Sequence, residues 1–494
     1  MEYSTATACS LGRCFISHFN RRKWMRLLII LGMLLMSTLA FCGLRTSNST
    51  LPYAEAIKNT DSPAAGLRTV RSTCTDFDPH NLLKMLPKSS KEEHTFSNSE
   101  IEDISCSIIY HNMTLTAQLN CSSTIDSRYD HLRPKSTTQP KVQYFFALDL
   151  YQAFHVIIPL LGSVIEAIRF LGPENCALSI VEGRSTDGTY AVLAGLRQEL
   201  AALGIRYFLS RSFVSPKANG ENRITALASL RNLALEPFLR GNDRTNWLNK
   251  QPKIVFINDV VLCPEDILEL LHQHYSQTAT MTCAFDWNSG GGLFYDSWVS
   301  RSMSGNLFFE VTHDAAHWLG DDMFFDHPDS KTRWDQSLPI QVYSCWGGMV
   351  TLEAEPFLQR QISFRSSDTD ECYMGEPMTL AKDFWRAGLG KILAVPSVNV
   401  GYEYDGAQSA KEKRGYVHQI VSHIQYNTKD ELVSWQESPP SMVKCMPVFS
   451  RQWWVPSMWL EIGDMASYTC VILYRLNIFH VQKIPISSLL TVWP

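Results

Sequence analysis

Short apolar runs alternate with longer segments of helical periodicity in the middle of the chain, and this alternation limits the fold more than any other feature. Strand-like runs occur at Tyr144–Leu148, Ala177–Val181 and Ile205–Leu209, and the segments between them, Val156–Leu171 and Tyr190–Leu203, have helical spacing. Strands that alternate with helices of this length form a parallel sheet covered by helices. The sequence therefore predicts an α/β fold with a doubly wound sheet.

A fourth strand delivers two polar residues to the edge of this sheet. The run Lys253–Ile257 ends directly before Asn258 and Asp259. Ligands of open α/β sheets bind at the carboxyl ends of the strands, where an acid can hold a divalent cation and, through it, a diphosphate. Asp259 is therefore a candidate metal ligand. Asn258 could bind the metal, the ribose or only its own turn, and a plain surface turn is the simpler interpretation of the pair.

Other polar residues surround this strand in the predicted fold. Glu182 and Asp187 follow the second strand, where acids of nucleotide-binding folds accept hydrogen bonds from a base or ribose. Their loop has neither a Gly-x-Gly-x-x-Gly nor a Walker pattern, and Asp187 could simply cap the next helix. Arg231 lies on a helix predicted over residues 224–239, and its guanidinium suits phosphate oxygens, although a solvated helix face is the commoner role.

Two further carboxylates are candidates for the reaction centre. Asp286 ends the predicted strand 281–287, and Glu376 precedes Pro377 at the start of a predicted helix. Glu376 could instead serve only the positive end of that helix. Aromatic residues beside Gly, Asp and Arg follow Asp286, a combination that suits sugar binding, although core packing is the usual role of a single aromatic ring.

An apolar segment near the N-terminus predicts a membrane anchor. Residues 27–44 carry no charge over 18 residues, and several bases precede them. Such a segment is about long enough to span a bilayer, and the bases place residues 1–26 in the cytosol. A cleaved signal peptide is the alternative. Glycosylation sequons begin at Asn48, Asn112 and Asn120. Residues 45–140 are therefore predicted to form a luminal stem, in which a disulfide is permitted.

The remaining boundaries and exclusions follow from composition. Residues 141–465 are predicted to form the catalytic domain, and the apolar and basic tail 466–494 has no assigned role. A net charge of -5 gives no support for a nucleic-acid partner. The 13 cysteines are too sparse for a disulfide scaffold, and none forms a Cys-x-x-Cys pair of the kind that binds zinc.

Several stretches, in this order, resemble the fungal capsule-associated α-1,3-mannosyltransferases of the cryptococcal mannosyltransferase type. The stretches are Glu182–Thr189, Arg231–Asn232, Phe256–Val260, Cys283–Trp287, Tyr295–Arg301, Tyr343–Met349 and Glu371 to Tyr402. The resemblance covers residues 145–405. It implies a GT-A-like nucleotide-sugar-binding fold and a type II Golgi membrane protein. It also implies transfer of mannose from GDP-mannose, with Mn²⁺, to an oligosaccharide or polysaccharide acceptor.

The same resemblance sets expectations for the site. Asn258 and Asp259 stand where many such enzymes carry Asp-x-Asp, and the Asn is a departure from that pattern. An α-linked donor and product imply retention, through a carboxylate nucleophile or through same-face attack assisted by the leaving phosphate, with Asp286 and Glu376 as the candidate carboxylates. A non-catalytic luminal protein of the same fold, needed for polysaccharide assembly or export, is the main alternative, and a glycoside hydrolase is a weaker one.

Overall fold

The computed structural model describes the chain from residue 95 to residue 458 with short gaps. The described ranges are 95–110, 119–134, 139–216, 222–240, 244–288, 292–311, 322–369, 371–423 and 431–458. The predicted cytoplasmic tail, membrane anchor and C-terminal tail lie outside these residues, as does the first half of the predicted stem.

One mixed sheet runs through the described part of the chain. The strands are β1 (Val142–Leu150), β2 (Cys176–Glu182), β3 (Arg206–Arg211), β4 (Leu248–Ile257), β5 (Met281–Asn288), β6 (Leu293–Phe294), β7 (Arg301–Ser302), β8 (Ile340–Ser344), β9 (Met349–Glu353), β10 (Ile392–Gly401), β11 (Met442–Val448) and β12 (Arg451–Pro456). Their order across the sheet is β3-β2-β1-β4-β9-β5-β10-β8-β7, with β6 beside β5 and a separate β11–β12 hairpin. β3, β2, β1 and β4 are parallel, and β9 runs antiparallel between β4 and β5.

Helices cover both faces of the parallel strands. They are α1 (Asn98–Ile109), α2 (Phe154–Leu171), α3 (Thr189–Gly195), α4 (Arg197–Ala202), α5 (Arg223–Leu239), α6 (Arg244–Trp247), α7 (Pro264–Ser276), α8 (Pro328–Asp335), α9 (Glu355–Leu358), α10 (Glu376–Arg386), α11 (Tyr404–Arg414) and α12 (Val417–His423). Phe146 and Leu148 of β1 face the core under α2 and α7, whereas Phe145 and Ala147 face the core under α5 and α10. The predicted α/β class with a doubly wound sheet is confirmed.

The helix expected over residues 190–203 is interrupted. It forms α3 and α4, which meet at Gly195 and Leu196. Helix α1 crosses Gly195 so closely that an added Cβ would contact Ile101. Thus α1, which lies in the segment assigned to the stem by sequence, packs into the same core as α2.

The apolar helix α2 passes through the centre of this core. Among the described residues it is the one helix long and apolar enough to cross a membrane by length and composition, and 78% of it is buried inside the fold. It ends at Gly172, which adopts a positive φ, in agreement with the predicted helix stop.

The strand order creates a switch point between β1 and β4. The chain proceeds from β1 outward through β2 and β3, then returns to place β4 on the other side of β1. The helices that follow these two strands, α2 and α7, pack on the same face of the sheet. A crevice opens at the carboxyl ends of β1 and β4, where the strand order reverses. Asn258 and Asp259 follow β4 at this crevice.

A buried ion pair joins α7 and α11, the helices that follow β4 and β10. Nζ of Lys411, on α11, lies 2.6 and 2.8 Å from the two carboxylate oxygens of Asp266, on α7, and both side chains are fully buried. Asp266 also accepts a hydrogen bond from the N–H of Cys263. The pair fixes the turn after β4 against the turn after β10, which are also joined backbone to backbone at Val261 and Gly401.

We expect Lys411→Met to lower the free energy of unfolding by about 3–5 kcal/mol, because it leaves the Asp266 carboxylate buried without its counter-charge. Chemical denaturation of the purified protein measures this. Lys413→Met, two residues along on the exposed face of the same helix, is the matched control and should change the free energy by less than about 0.5 kcal/mol. Equal effects from the two substitutions would contradict the buried pair.

Candidate active site

A cavity of about 640 Å³ opens at the carboxyl ends of β1 and β4. Among the described residues, four acids and two arginines line it: Asp149, Asp259, Asp296, Glu376, Arg223 and Arg231. Asn258, Trp346 and Tyr402 complete its polar and aromatic wall. The cavity is therefore large enough for a small ligand, and its lining carries an excess of negative charge.

The hydroxyl of Tyr402 connects the ends of three strands. It donates to Oδ2 of Asp286 at 2.9 Å and receives a long hydrogen bond of 3.4 Å from Nδ2 of Asn258. Oδ1 of Asn258 in turn accepts from Nε1 of Trp346 at 3.1 Å. The Asn258 side chain thus contacts the ends of other strands rather than its own turn, and it orients the groups around Asp259.

A glycine turn brings a second carboxylate to the cavity. Gly347 and Gly348, between β8 and β9, both have positive φ, and a Cβ on Gly347 would overlap the carbonyl oxygen of Ala284. This close approach allows the N–H of Gly347 to donate to Oδ2 of Asp296 at 2.7 Å. The N–H of Asp296 donates to Oδ1 of Asp286 at 3.1 Å. Asp296 therefore faces the cavity with Asp286 directly behind it.

Burial changes the protonation of this carboxyl pair. The pKa of Asp286 is raised well above its usual range by burial and then by the charge of Asp296. Burial also raises the pKa of Asp296, against the hydrogen bond from Gly347. The pair can therefore hold a proton at a pH where an exposed carboxyl would be ionised.

Arg231, on α5, lines the cavity and is held by aromatic rings. Its guanidinium carbon lies 3.8 Å from the ring centre of Trp346, and the rings of Phe256 and Phe364 lie 5.4 and 5.7 Å away. The neighbouring Asn232 fixes this arrangement, because its amide makes two hydrogen bonds to the backbone of Phe364. Stacking holds the guanidinium plane without occupying its N–H groups.

One nitrogen of Arg231 lies beside an acid of the cavity wall, and two of its nitrogens are buried without a hydrogen bond within the described residues. Nε lies 2.9 Å from Oε1 of Glu376, which is near enough for an ion pair but not aligned for a hydrogen bond. Among the described residues Nη1 has no hydrogen-bond partner, although the side chain is 93% buried. A buried, unpaired guanidinium N–H is costly, so this group is suited to an anionic ligand in the cavity.

Glu376 is the first residue of α10 and belongs to a braced loop. Arg365 donates to Glu371 at 2.6 Å and to Asp383 of α10 at 2.7 Å. Thr379 closes the loop by donating to the carbonyl oxygen of Arg365 at 2.7 Å. This network holds the start of α10 against the cavity, and so holds Glu376 near Arg231.

The pKa of Asp149 depends on its burial and on the other charged side chains of the cavity. Burial raises the pKa of its carboxyl to about 7, with Arg231 opposing the shift and Asp259 and Glu376 adding to it. Burial is the largest of these effects, and the attraction of Arg231 exceeds the repulsion from Asp259 or from Glu376 taken singly. The Asp149 carboxyl can therefore hold a proton near neutral pH, and a cation in the cavity would favour its ionised form.

The two acids predicted from the second loop lie beside the cavity rather than in its wall. Glu182 is fully buried, accepts from the N–H of Ser185 and pairs with Arg211 at 3.1 Å. Asp187 accepts from the N–H of Phe154 at 2.9 Å and from the N–H of Thr189 at 3.0 Å. Their oxygens thus brace the loop and the starts of α2 and α3, whereas Gly183 of this loop lines the cavity.

The structure brings together four of the predicted residues and adds four others. Arg231, Asn258, Asp259 and Glu376 line the cavity, and Asp286 lies behind Asp296. The residues that sequence reasoning did not select are Asp149, Asp296, Trp346 and Tyr402. Asp149 had a usable signal, since it is an acid at the carboxyl end of a strand, as Asp286 is. Asp296, Trp346 and Tyr402 lie within the stretches that carry the family resemblance, but their individual roles depend on contacts between segments far apart in the chain.

Comparison with known proteins supports a family assignment. Residues 143–383 match the protein family described as cryptococcal mannosyltransferase 1. The alpha-1,3-mannosyltransferase CMT1 of Cryptococcus neoformans is 34% identical over 325 residues, which are 61% of this chain and 68% of that protein.

Solved structures show only a distant likeness. A mannosyltransferase of Pyrobaculum calidifontis in complex with GDP-Man and Mn²⁺ is 12% identical, with a TM-score of 0.30 over 56% of this chain and 62% of its own. TarS 1–349 of S. aureus is 12% identical, with a TM-score of 0.31 over 59% of this chain and 68% of its own. Both scores are too low to bear on the activity. The match to the family and to a relative over two thirds of its length is sufficient: the chain belongs to the cryptococcal mannosyltransferase family and is a glycosyltransferase.

Proposed function

We propose that this glycosyltransferase transfers mannose from GDP-mannose to a glycan hydroxyl, with retention and formation of an α-1,3 linkage. The observation that carries the proposal is Arg231, a ring-stacked guanidinium with an unsatisfied Nη1 in a cavity at the switch point. A guanidinium fork in this setting suits the oxygens of a diphosphate. Mannose itself rests on the family and on the activity named for the Cryptococcus relative.

A divalent cation such as Mn²⁺ fits the donor set. Asp259 would hold it, with the amide oxygen of Asn258 as a neutral second ligand, and oxygen donors suit Mg²⁺ and Mn²⁺. No three His, Cys, Asp or Glu side chains within the described ranges converge on a metal position. Diphosphate oxygens would therefore have to complete the coordination, as they do for metals bound through one or two carboxylates. When bound, the cation would supply charge neutralisation of the leaving diphosphate.

Other side chains of this enzyme would contact the leaving diphosphate and the transferred sugar. Arg231 would contact the leaving diphosphate, where negative charge develops as the anomeric bond breaks. Glu376, held at the start of α10 by its braced loop, and the Asp286–Asp296 pair are the carboxyl groups near the sugar. Asp286 acts through Asp296, because Asp296 alone of the two lines the cavity. Same-face attack assisted by the leaving phosphate needs no carboxylate nucleophile and leaves these groups to position the sugar.

A luminal location fits the cysteine chemistry. Three disulfides join Cys121 to Cys263, Cys283 to Cys345 and Cys372 to Cys445 within the described ranges. Disulfides of this kind persist in oxidising compartments. Together with the apolar, base-flanked segment 27–44, they support a type II membrane protein whose catalytic domain faces the Golgi lumen.

Asp259→Asn should lower the rate of GDP release from GDP-mannose by about 100-fold or more, the usual range for losing one group that stabilises transition-state charge. It should also weaken Mn²⁺ binding, measured by the EPR signal of free Mn²⁺. The melting temperature should stay equal or rise, because the substitution removes one of the charges that repel Asp149. Asp329→Asn, on the exposed start of α8, is the control. Undiminished GDP release would exclude Asp259 from the site.

Arg231→Lys should weaken GDP binding by about 10-fold or more, because an ammonium cannot replace a stacked fork that donates to phosphate oxygens. Isothermal calorimetry with GDP measures the affinity independently of turnover. Arg240→Lys is the matched control, since Arg240 ends the same helix and its side chain is 72% exposed. Equal affinities for GDP in the wild type and the Arg231 variant would remove the diphosphate role.

The expressed full chain should sediment with membranes after carbonate extraction, and PNGase F should increase its electrophoretic mobility. Asn120→Gln should abolish part of that shift, because Asn120 is exposed and begins a sequon. A soluble, unglycosylated full chain in a secretory host would contradict the luminal location.

A further inference from the structure

The β11–β12 hairpin lies beyond residue 383, where the match to the family ends, yet it forms part of the cavity wall. Phe449, in its turn, lines the same cavity as Trp298 and Pro377. The second strand exposes Trp453 and Trp454, which are 41 and 45% accessible, but neither of them lines the cavity. Phe449 is therefore the hairpin residue that a ligand in the cavity would meet.

Three successive residues of β11 fasten the hairpin to the cavity. Nε of Arg301 donates to the carbonyl oxygen of Lys444 at 2.6 Å, and Nε1 of Trp298 donates to that of Met446 at 2.7 Å. Between them Cys445 is bonded to Cys372, at the end of the loop that leads to Glu376. The hairpin is thus a fixed wall, tied to both segments that flank the sugar-binding carboxyls.

The buried charge of Arg301 serves this attachment. The side chain is fully buried, and its guanidinium also donates to the carbonyl oxygens of Ser297 and Ser300. It forms no ion pair within the part of the chain that the structure describes. Backbone carbonyl oxygens of the turn before β7 and of β11 solvate its charge. The guanidinium therefore holds this turn and β11 together.

The position of the hairpin separates it from the nucleotide. Tyr151, Val181 and Gly183, at the ends of β1 and β2, line the opposite side of the cavity from β7 and β8, to which the hairpin is attached. With the diphosphate at Arg231, the nucleoside occupies the β1–β2 side. The wall formed by Phe449 and Trp298 is then left for the sugar that receives the mannosyl group.

We propose that the β11–β12 hairpin is the acceptor-recognition wall of the enzyme, and that Phe449 and Trp298 stack on a hexopyranose ring of the acceptor glycan. This inference rests on the proposed function. Apolar C–H faces of pyranoses suit aromatic rings, and the exposed Tyr373, whose ring centre lies 6.5 Å from that of Trp298, extends the same surface. Acceptor choice is accordingly set in part by Phe449, which lies outside the family match.

The experiment measures the KM of the acceptor and the KM of the donor separately. The purified chain with Mn²⁺ and GDP-mannose is assayed for GDP release alone, and for transfer to p-nitrophenyl glycosides of mannose, glucose, galactose and xylose. Phe449→Ala should raise the acceptor KM about 10-fold, as expected for losing a stacked ring, without changing the donor KM. Phe449→Tyr, which keeps the ring, should restore the wild-type acceptor KM. Phe213→Ala removes an aromatic ring that is 68% exposed and outside the cavity lining, and should change neither constant.

Three results would overturn the inference. The first is an unchanged acceptor KM in a Phe449→Ala variant that unfolds at the wild-type temperature. The second is a rise in the donor KM alone. The third is a wild-type enzyme that releases GDP but glycosylates no member of the panel. A wild-type enzyme that releases no GDP from GDP-mannose would instead remove the proposed function, and this inference with it.

Discussion

The site depends on one buried hydroxyl. Tyr402, at the end of β10, donates to Asp286 at the end of β5 and is contacted by Asn258 at the end of β4. Because β9 runs antiparallel between β4 and β5, the carboxyl ends of those two strands cannot pair with each other, and a side chain has to join them. A buried carboxylate oxygen without a donor costs about 1–3 kcal/mol or more, so the strand register and the hydroxyl are fixed together.

Arg231 shows why aromatic residues surround a polar site. A guanidinium held by carboxylates would be rigid, but its N–H groups would be occupied. The indole of Trp346 restrains its plane by stacking, and the indole N–H is itself held by Asn258. The same contact therefore orients the arginine and the residue beside Asp259. One aromatic side chain couples the proposed phosphate contact to the proposed metal position.

The sequence predicts most of this fold because the parallel strands are buried on both faces and so read as continuous apolar runs. It predicts Asp259 because polar residues after such a strand lie at the sheet edge. Asp149 obeys the same rule, since it directly follows the predicted strand end at Leu148, although the strand itself continues to Leu150. The sequence does not predict the antiparallel strand β9. This strand depends on the turn that precedes it, in which Gly347 and Gly348 both have positive φ. Asp296 and Tyr402 become site residues only through contacts between distant segments, which no local pattern encodes.

Several charged side chains are buried together in the cavity. Asp259 and Glu376 raise the pKa of the buried Asp149 carboxyl, and Arg231 opposes that shift. A surface selected for stability alone would replace one of these acids with a neutral side chain. The chain keeps these acids in a cavity that buried ion pairs and disulfides hold in place. The scaffold is therefore stable enough to tolerate the repulsion among them. The proposed cation and diphosphate would together relieve it, since one neutralises the acids and the other satisfies the arginine.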